Sequence, residues 1–93
     1  MKKISDIKTN NNPSEELKAE CEGWPVWQSP AREFDWFYTE TEMALIIEGE
    51  VEIISLDGKE SVKLEAGDYA EFPEGLECRW NVTKDLKKHY NFK

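Results

Sequence analysis

Histidine and cysteine are scarce in this chain: His89 stands alone, and Cys21 and Cys78 are the two thiols among 93 residues. So few cysteines exclude a disulfide framework and make a reducing cytoplasm the expected compartment. No apolar run approaches the roughly 18 residues that a membrane span needs, and residues 1–8 lack the apolar stretch of a signal peptide. Basic residues are outnumbered, 12 against 20 acidic, for a formal charge of −8. Such a field repels phosphate backbones and anionic lipid, so neither nucleic acid nor a membrane is an expected partner. Asn81-Val82-Thr83 matches a glycosylation acceptor, a chance match in a chain read as unsecreted. No internal repeat of useful length is present.

What the chain has is aromatic bulk. Four Trp, four Phe and three Tyr are a heavy load for 93 residues. Each can bury about 150–250 Å², which offsets the small core of a chain this short. The length fits one folded unit, divided here into a polar segment, 1–23, and a strand-rich domain, 24–93. In the first part Thr9-Asn10-Asn11-Asn12 reads as a tract that does not pack. Asn12 as cap, Pro13 in the first turn and Glu15 and Glu16 behind it predict a short helix over 13–21, ended by Gly23. Its apolar face is little more than Leu17 and Cys21.

From Trp24 the pattern is strands and turns. Phe34-Asp35-Trp36-Phe37-Tyr38 is aromatic and extended, and 43–47 is a short apolar run that Glu48-Gly49-Glu50 appends as a turn. Val51-Glu52-Ile53 alternates into Asp57-Gly58, a strong hairpin signal. Val62-Lys63-Leu64, Tyr69-Ala70-Glu71-Phe72 and 78–82 follow, separated by Ala66-Gly67-Asp68 and Pro73-Glu74-Gly75. The last segment, 87–92, puts His89 and Asn91 on one parity and Lys88, Tyr90 and Phe92 on the other. Short strands at regular spacing predict an all-β sandwich or barrel with a short N-terminal helix.

The glycines and prolines carry a resemblance. Glu42 stands seven before Gly49, and Gly67-x5-Pro73-x-Gly75 follows; both spacings are similar to the two motifs of cupins. Trp24-Pro25-Val26-Trp27, Phe34-Asp35-Trp36, Phe72-Pro73-Glu74-Gly75-Leu76 and Lys88-His89-Tyr90 resemble small single-domain cupins related to the ureidoglycine aminohydrolase and ethanolamine-utilisation type. These are mostly of unassigned function. The resemblance implies a cupin β-barrel of jelly-roll type. It also implies a metal held by three histidines and a glutamate, but here the histidine positions hold Trp36, Tyr38 and Cys78, and Pro30 and Val82 replace a motif glycine and asparagine. Of the ligand set only Glu42 survives. Indole has no lone pair to offer a metal, and one Cys plus one Glu suits a hard ion badly. A divalent ion at Glu42 is therefore a poor fit, and no cofactor is expected.

Strand parity turns Glu42 inward with Ala44 and Ile46, Phe34 with Trp36 and Tyr38, and Cys78 with Trp80. The expected pocket is Phe34, Trp36, Tyr38, Glu42, Cys78 and Trp80, and the function it implies is binding of a small molecule without the three-histidine metal. The alternative is an enzyme of hydrolase or isomerase type using Glu42 as acid or base with Cys78 or Tyr38, with or without a weakly held divalent metal. Each residue also has a structural reading. Glu42 would then pair with Arg79 or Tyr38, Cys78 would be a small hydrophobe, and Trp36, Tyr38 and Trp80 would fill the barrel. His89 either makes a structural hydrogen bond or, if inward, supplies a base. Trp24 and Trp27 are expected to close one barrel end or an oligomer contact. Met43, Leu45 and Ile47 face outward and need cover, for which a homodimer is the expectation.

Overall fold

Alternating apolar and polar residues draw the chain into seven strands, β1 (Lys8–Asn10), β2 (Val26–Ser29), β3 (Arg32–Phe37), β4 (Glu42–Ile54), β5 (Ser61–Glu65), β6 (Tyr69–Phe72) and β7 (Glu77–Phe92), with helix α1 (Glu15–Glu22) between the first two. The computed structural model describes residues 2–93. Every pairing is antiparallel, and β4 and β7 lie side by side at the centre. The first half of β4 is flanked by β6 and its second half by β5; β7 is flanked by β3 and then by β2. The sheet rolls into a barrel and wraps its inner face around one core. The expected all-β cupin architecture with one short helix is what forms.

The Glu48-Gly49-Glu50 segment is not a turn. β4 runs through it as a bulge, with register shifts against β7 on either side. Gly49 sits at φ +90, and a Cβ there would lie 2.1 Å from the Asp85 carbonyl oxygen. Only glycine allows both that conformation and that approach. The bulge also resets parity: Glu42, Ala44 and Ile46 point inward before it, Val51 and Ile53 after it. In the same way β7 is one strand through Thr83-Lys84-Asp85 rather than two.

Part of the N-terminal segment joins the packing, contrary to the reading of Thr9-Asn10-Asn11-Asn12 as a tract that does not pack. Ile4 and Ile7 are buried in the core, and Lys8, Thr9 and Asn10 pair with β6. The helix is capped by Ser14, whose hydroxyl accepts from the Leu17 N–H at 3.2 Å, and not by Asn12. Gly23 ends it as expected. On the barrel's outer face, Leu17, Cys21 and Trp24 pack over Met43, Leu45 and Tyr69. Met43 and Leu45, two of the three outward apolar residues of β4, thus pack against α1 and Trp24 within the chain.

Candidate functional site

β2, β3, β4 and β7 enclose an open cavity of about 420 Å³ at one end of the barrel. Its walls are Trp27, Phe34, Trp80 and Tyr90, with Tyr38 deeper and Trp36 and Phe92 at the mouth. The rings hold each other in place. Phe34 stacks on Trp80 at 6.1 Å between centroids, and Trp27 meets both edge-on at 6.3 and 6.2 Å. Behind them Phe72 lies against Trp80 at 5.6 Å and parallel to Tyr38 at 5.1 Å. The Trp80 indole N–H donates to the Tyr38 hydroxyl at 3.0 Å. Such packing fixes the walls without a ligand.

Into this apolar surface come two charges. Glu42 opens β4 and Lys88 lies late on β7, both pointing inward, and the Lys88 Nζ donates to Glu42 Oε2. Their side chains are only 7% and 8% exposed. The ammonium also lies 4.5 Å from the Trp80 ring centroid and 5.0 Å from that of Trp27, within cation–π range. Burial pushes the Lys88 amine below its ordinary value, and the adjacent Glu42 charge opposes this in part. Oε1 of Glu42 accepts no protein hydrogen bond, yet no fully buried side-chain oxygen lacks a partner among the described residues. That oxygen therefore opens to the cavity.

Of the six expected pocket residues, Phe34, Trp36, Tyr38, Glu42 and Trp80 do line it. Trp36 faces the mouth and is half exposed, so it does not fill the barrel. Cys78 is brought elsewhere: it is fully buried in the core behind the wall, and burial pushes its thiol up to about 11. A thiol so protonated and enclosed is a packing residue. Burial and the nearby Glu42 charge also raise Tyr38 well above its usual range. Neither expected structural partner of Glu42 is the actual one; Arg79 instead pairs with Asp35 at 3.0 Å near the surface. His89 points away from the cavity, with Nδ1 3.0 Å from the Trp24 carbonyl. Trp27 is a cavity wall, while Trp24 packs beneath the helix.

Lys88 is the residue that sequence reasoning missed. The signal was its parity with Tyr90 and Phe92, which made an aromatic-flanked lysine inward if those rings were inward. Arg32 and Asp35 also reach the cavity, Arg32 stacked 4.7 Å from the Phe34 centroid and bonded to Ser29 Oγ at 2.9 Å. No group of three or more His, Cys, Asp or Glu side chains able to hold a metal comes together among the described residues. The carboxylate left from the metal set faces an ammonium, which repels a divalent ion. The residues present do not fit a cupin metal.

Comparison with known proteins agrees with this architecture. A family model described as the EutQ-like cupin domain matches residues 17–90. The crystal structure of a DUF861 family protein from Thermotoga maritima superposes with a TM-score of 0.87 at 40% identity, covering 95% of this chain and 100% of that one. The EutQ protein of Clostridium difficile gives 0.63 at 25% identity over 70% of this chain and 50% of its own. A protein of unknown function from Pseudomonas syringae pv. tomato, also of the DUF861 family, gives 0.61 at 29% identity over 70% of this chain and 28% of its own. No curated protein matches.

Proposed function

The chain belongs to the EutQ-like cupin domain family, and from that premise we propose that its barrel binds a small, flat organic molecule without a metal. The observation that carries the reading is the open cavity of about 420 Å³, walled by aromatic rings and floored by the Glu42–Lys88 pair. A volume of this size suits a small ligand, and a few directed polar groups in apolar surroundings are the usual make-up of such a site. Burying an ion pair is costly, and one made only for stability is often improved by replacing it with apolar residues. Keeping it beside open space gives it a task in recognition.

The pair also selects the ligand's polar end. It is neutral as a unit, so it does not offset the desolvation of a charged group. It offers remaining ammonium donors at Lys88 and a free acceptor at Glu42 Oε1. A neutral head with one acceptor and one donor, such as a carboxamide, satisfies both while its flat body stacks between Trp27, Trp80 and Phe34. Lys88 then supplies a positive charge where other cupins carry a metal.

Benzamide is a suitable probe. Saturable quenching of tryptophan fluorescence is expected with a Kd of about 0.1–1 mM, an affinity appropriate to so small a fragment. Trp36→Ala, at the exposed mouth, should weaken it about tenfold while moving folding stability by less than about 0.5 kcal/mol. Unchanged fluorescence and melting temperature up to several times that range would reject the binding reading. Stoichiometric Mn, Fe, Ni or Zn in purified protein, lost in Glu42→Gln, would reject the metal-free part.

A further inference from the structure

Lys88 is the one buried lysine among the described residues, and its amine faces a cavity instead of packed core. Three features surround that nitrogen: a carboxylate in hydrogen-bond contact, two indole faces at 4.5 and 5.0 Å, and open volume of about 420 Å³. Together they form a setting for carbonyl chemistry. An amine reacts with an aldehyde or ketone only after giving up a proton, and it needs an acid to expel the carbonyl oxygen as water. A carboxylate in direct contact can do both in turn.

We infer that Lys88 captures a small aromatic or otherwise flat aldehyde or ketone as a covalent imine, with Glu42 moving the protons. This rests on the binding reading above, with a reactive carbonyl in place of the carboxamide head. The ammonium passes a proton to Glu42, and the freed lone pair forms a C–N bond with the carbonyl carbon while the C=O π electrons move to oxygen. A second nitrogen proton moves to that oxygen, giving a neutral carbinolamine. Glu42 then returns its proton to the hydroxyl, the C–O bond breaks, water leaves, and nitrogen donates its pair to complete the C=N bond. One ammonium and one carbonyl become one protonated imine and one water, so charge is conserved. The product cation lies where the ammonium lay, against the Glu42 carboxylate and over the Trp80 and Trp27 rings, which favour a cation there. Burial, which holds the amine below its ordinary value, enlarges the reactive neutral fraction near pH 7.

Benzaldehyde with cyanoborohydride at pH 7, followed by intact mass and peptide mapping, tests this in the wild-type protein. A tryptophan-fluorescence titration with benzaldehyde alone runs beside it. The expected result is a single benzyl group on Lys88, acquired about tenfold or more faster than on any exposed lysine, because the cavity holds the aldehyde beside an amine whose protons Glu42 can carry. Glu42→Gln, checked for fold by circular dichroism, should slow labelling at Lys88 about tenfold and leave exposed lysines unchanged. Saturable quenching with Lys88 labelled no faster than surface lysines would overturn the imine and leave the binding reading standing. Absence of both quenching and Lys88 labelling would overturn the two together. An unchanged Lys88 rate in Glu42→Gln would overturn the role of Glu42.

Discussion

Trp80 donates its indole N–H to the Tyr38 hydroxyl at 3.0 Å where both side chains are about 2% exposed. The bond ties β7 to the residue that follows β3 and so fixes the cavity's back wall. Tyr38→Phe keeps the ring stacked on Phe72 but leaves the indole N–H without an acceptor. The expected loss is about 1–3 kcal/mol, the cost of an unpaired buried donor, read from the urea midpoint.

Glycine replacements should separate the bulge from an ordinary turn. Gly49→Ala meets both a φ of +90 and the Asp85 carbonyl 2.1 Å from the new Cβ. A loss above about 3 kcal/mol is expected, since backbone must move. Gly58→Ala has a φ of +75 but open space, so it should cost only about 1–2 kcal/mol. Equal losses in denaturant titrations would remove the bulge from this account.

Alkaline pH should weaken the fold through Cys78. Its thiol is pushed from 9.0 to about 11 on burial, so above pH 9 the unfolded chain loses this proton while the folded chain keeps it. The unfolded state then binds fewer protons and stability falls as pH rises from 9 to 11. Lys88, lowered on burial, acts in the opposite sense: stability rises as pH climbs from its lowered folded value to 10.5. Comparing wild type with Cys78→Ala isolates the first effect. The stability advantage of the wild type should shrink by about 2 kcal/mol between pH 8 and pH 11.

The buried pair should behave as a unit. Lys88→Met strands the Glu42 carboxylate in an apolar cavity and should cost about 3–5 kcal/mol at neutral pH. The double variant Glu42→Gln with Lys88→Met removes both charges and should recover most of that loss. A double variant no better than the single would show that the cost came from lost packing of the lysine stem. Thermal unfolding of the two proteins decides it.

Much of this was legible in order along the chain. Glu42-x6-Gly49 and Gly67-x5-Pro73-x-Gly75 gave the cupin skeleton, and period-two alternation placed Phe34, Trp36, Tyr38 and Trp80 on the cavity side. What escaped depends on distance across the fold. Gly49 announces a positive φ, but a turn and a bulge both need one, and only the Asp85 carbonyl opposite it distinguishes them. Ile4 and Ile7 are two apolar residues in a polar stretch, and their burial follows from pairing with β6, far along the sequence. Lys88 hid because a lysine is usually solvated; its partner, Glu42, is on another strand.

β7 comes after each of the three strands it pairs with, β2, β3 and β4. As a ribosome makes the chain, the apolar residues of β4 emerge long before the strand that covers their open side. β1, β4, β5 and β6 can pair without β7, but β2 and β3 join the sheet only through it. Pairings so remote in sequence place the barrel's folding on the millisecond-to-second scale typical of all-β domains. Until β7 docks, the side of β4 that it covers is an open strand edge, of the kind that invites wrong pairing.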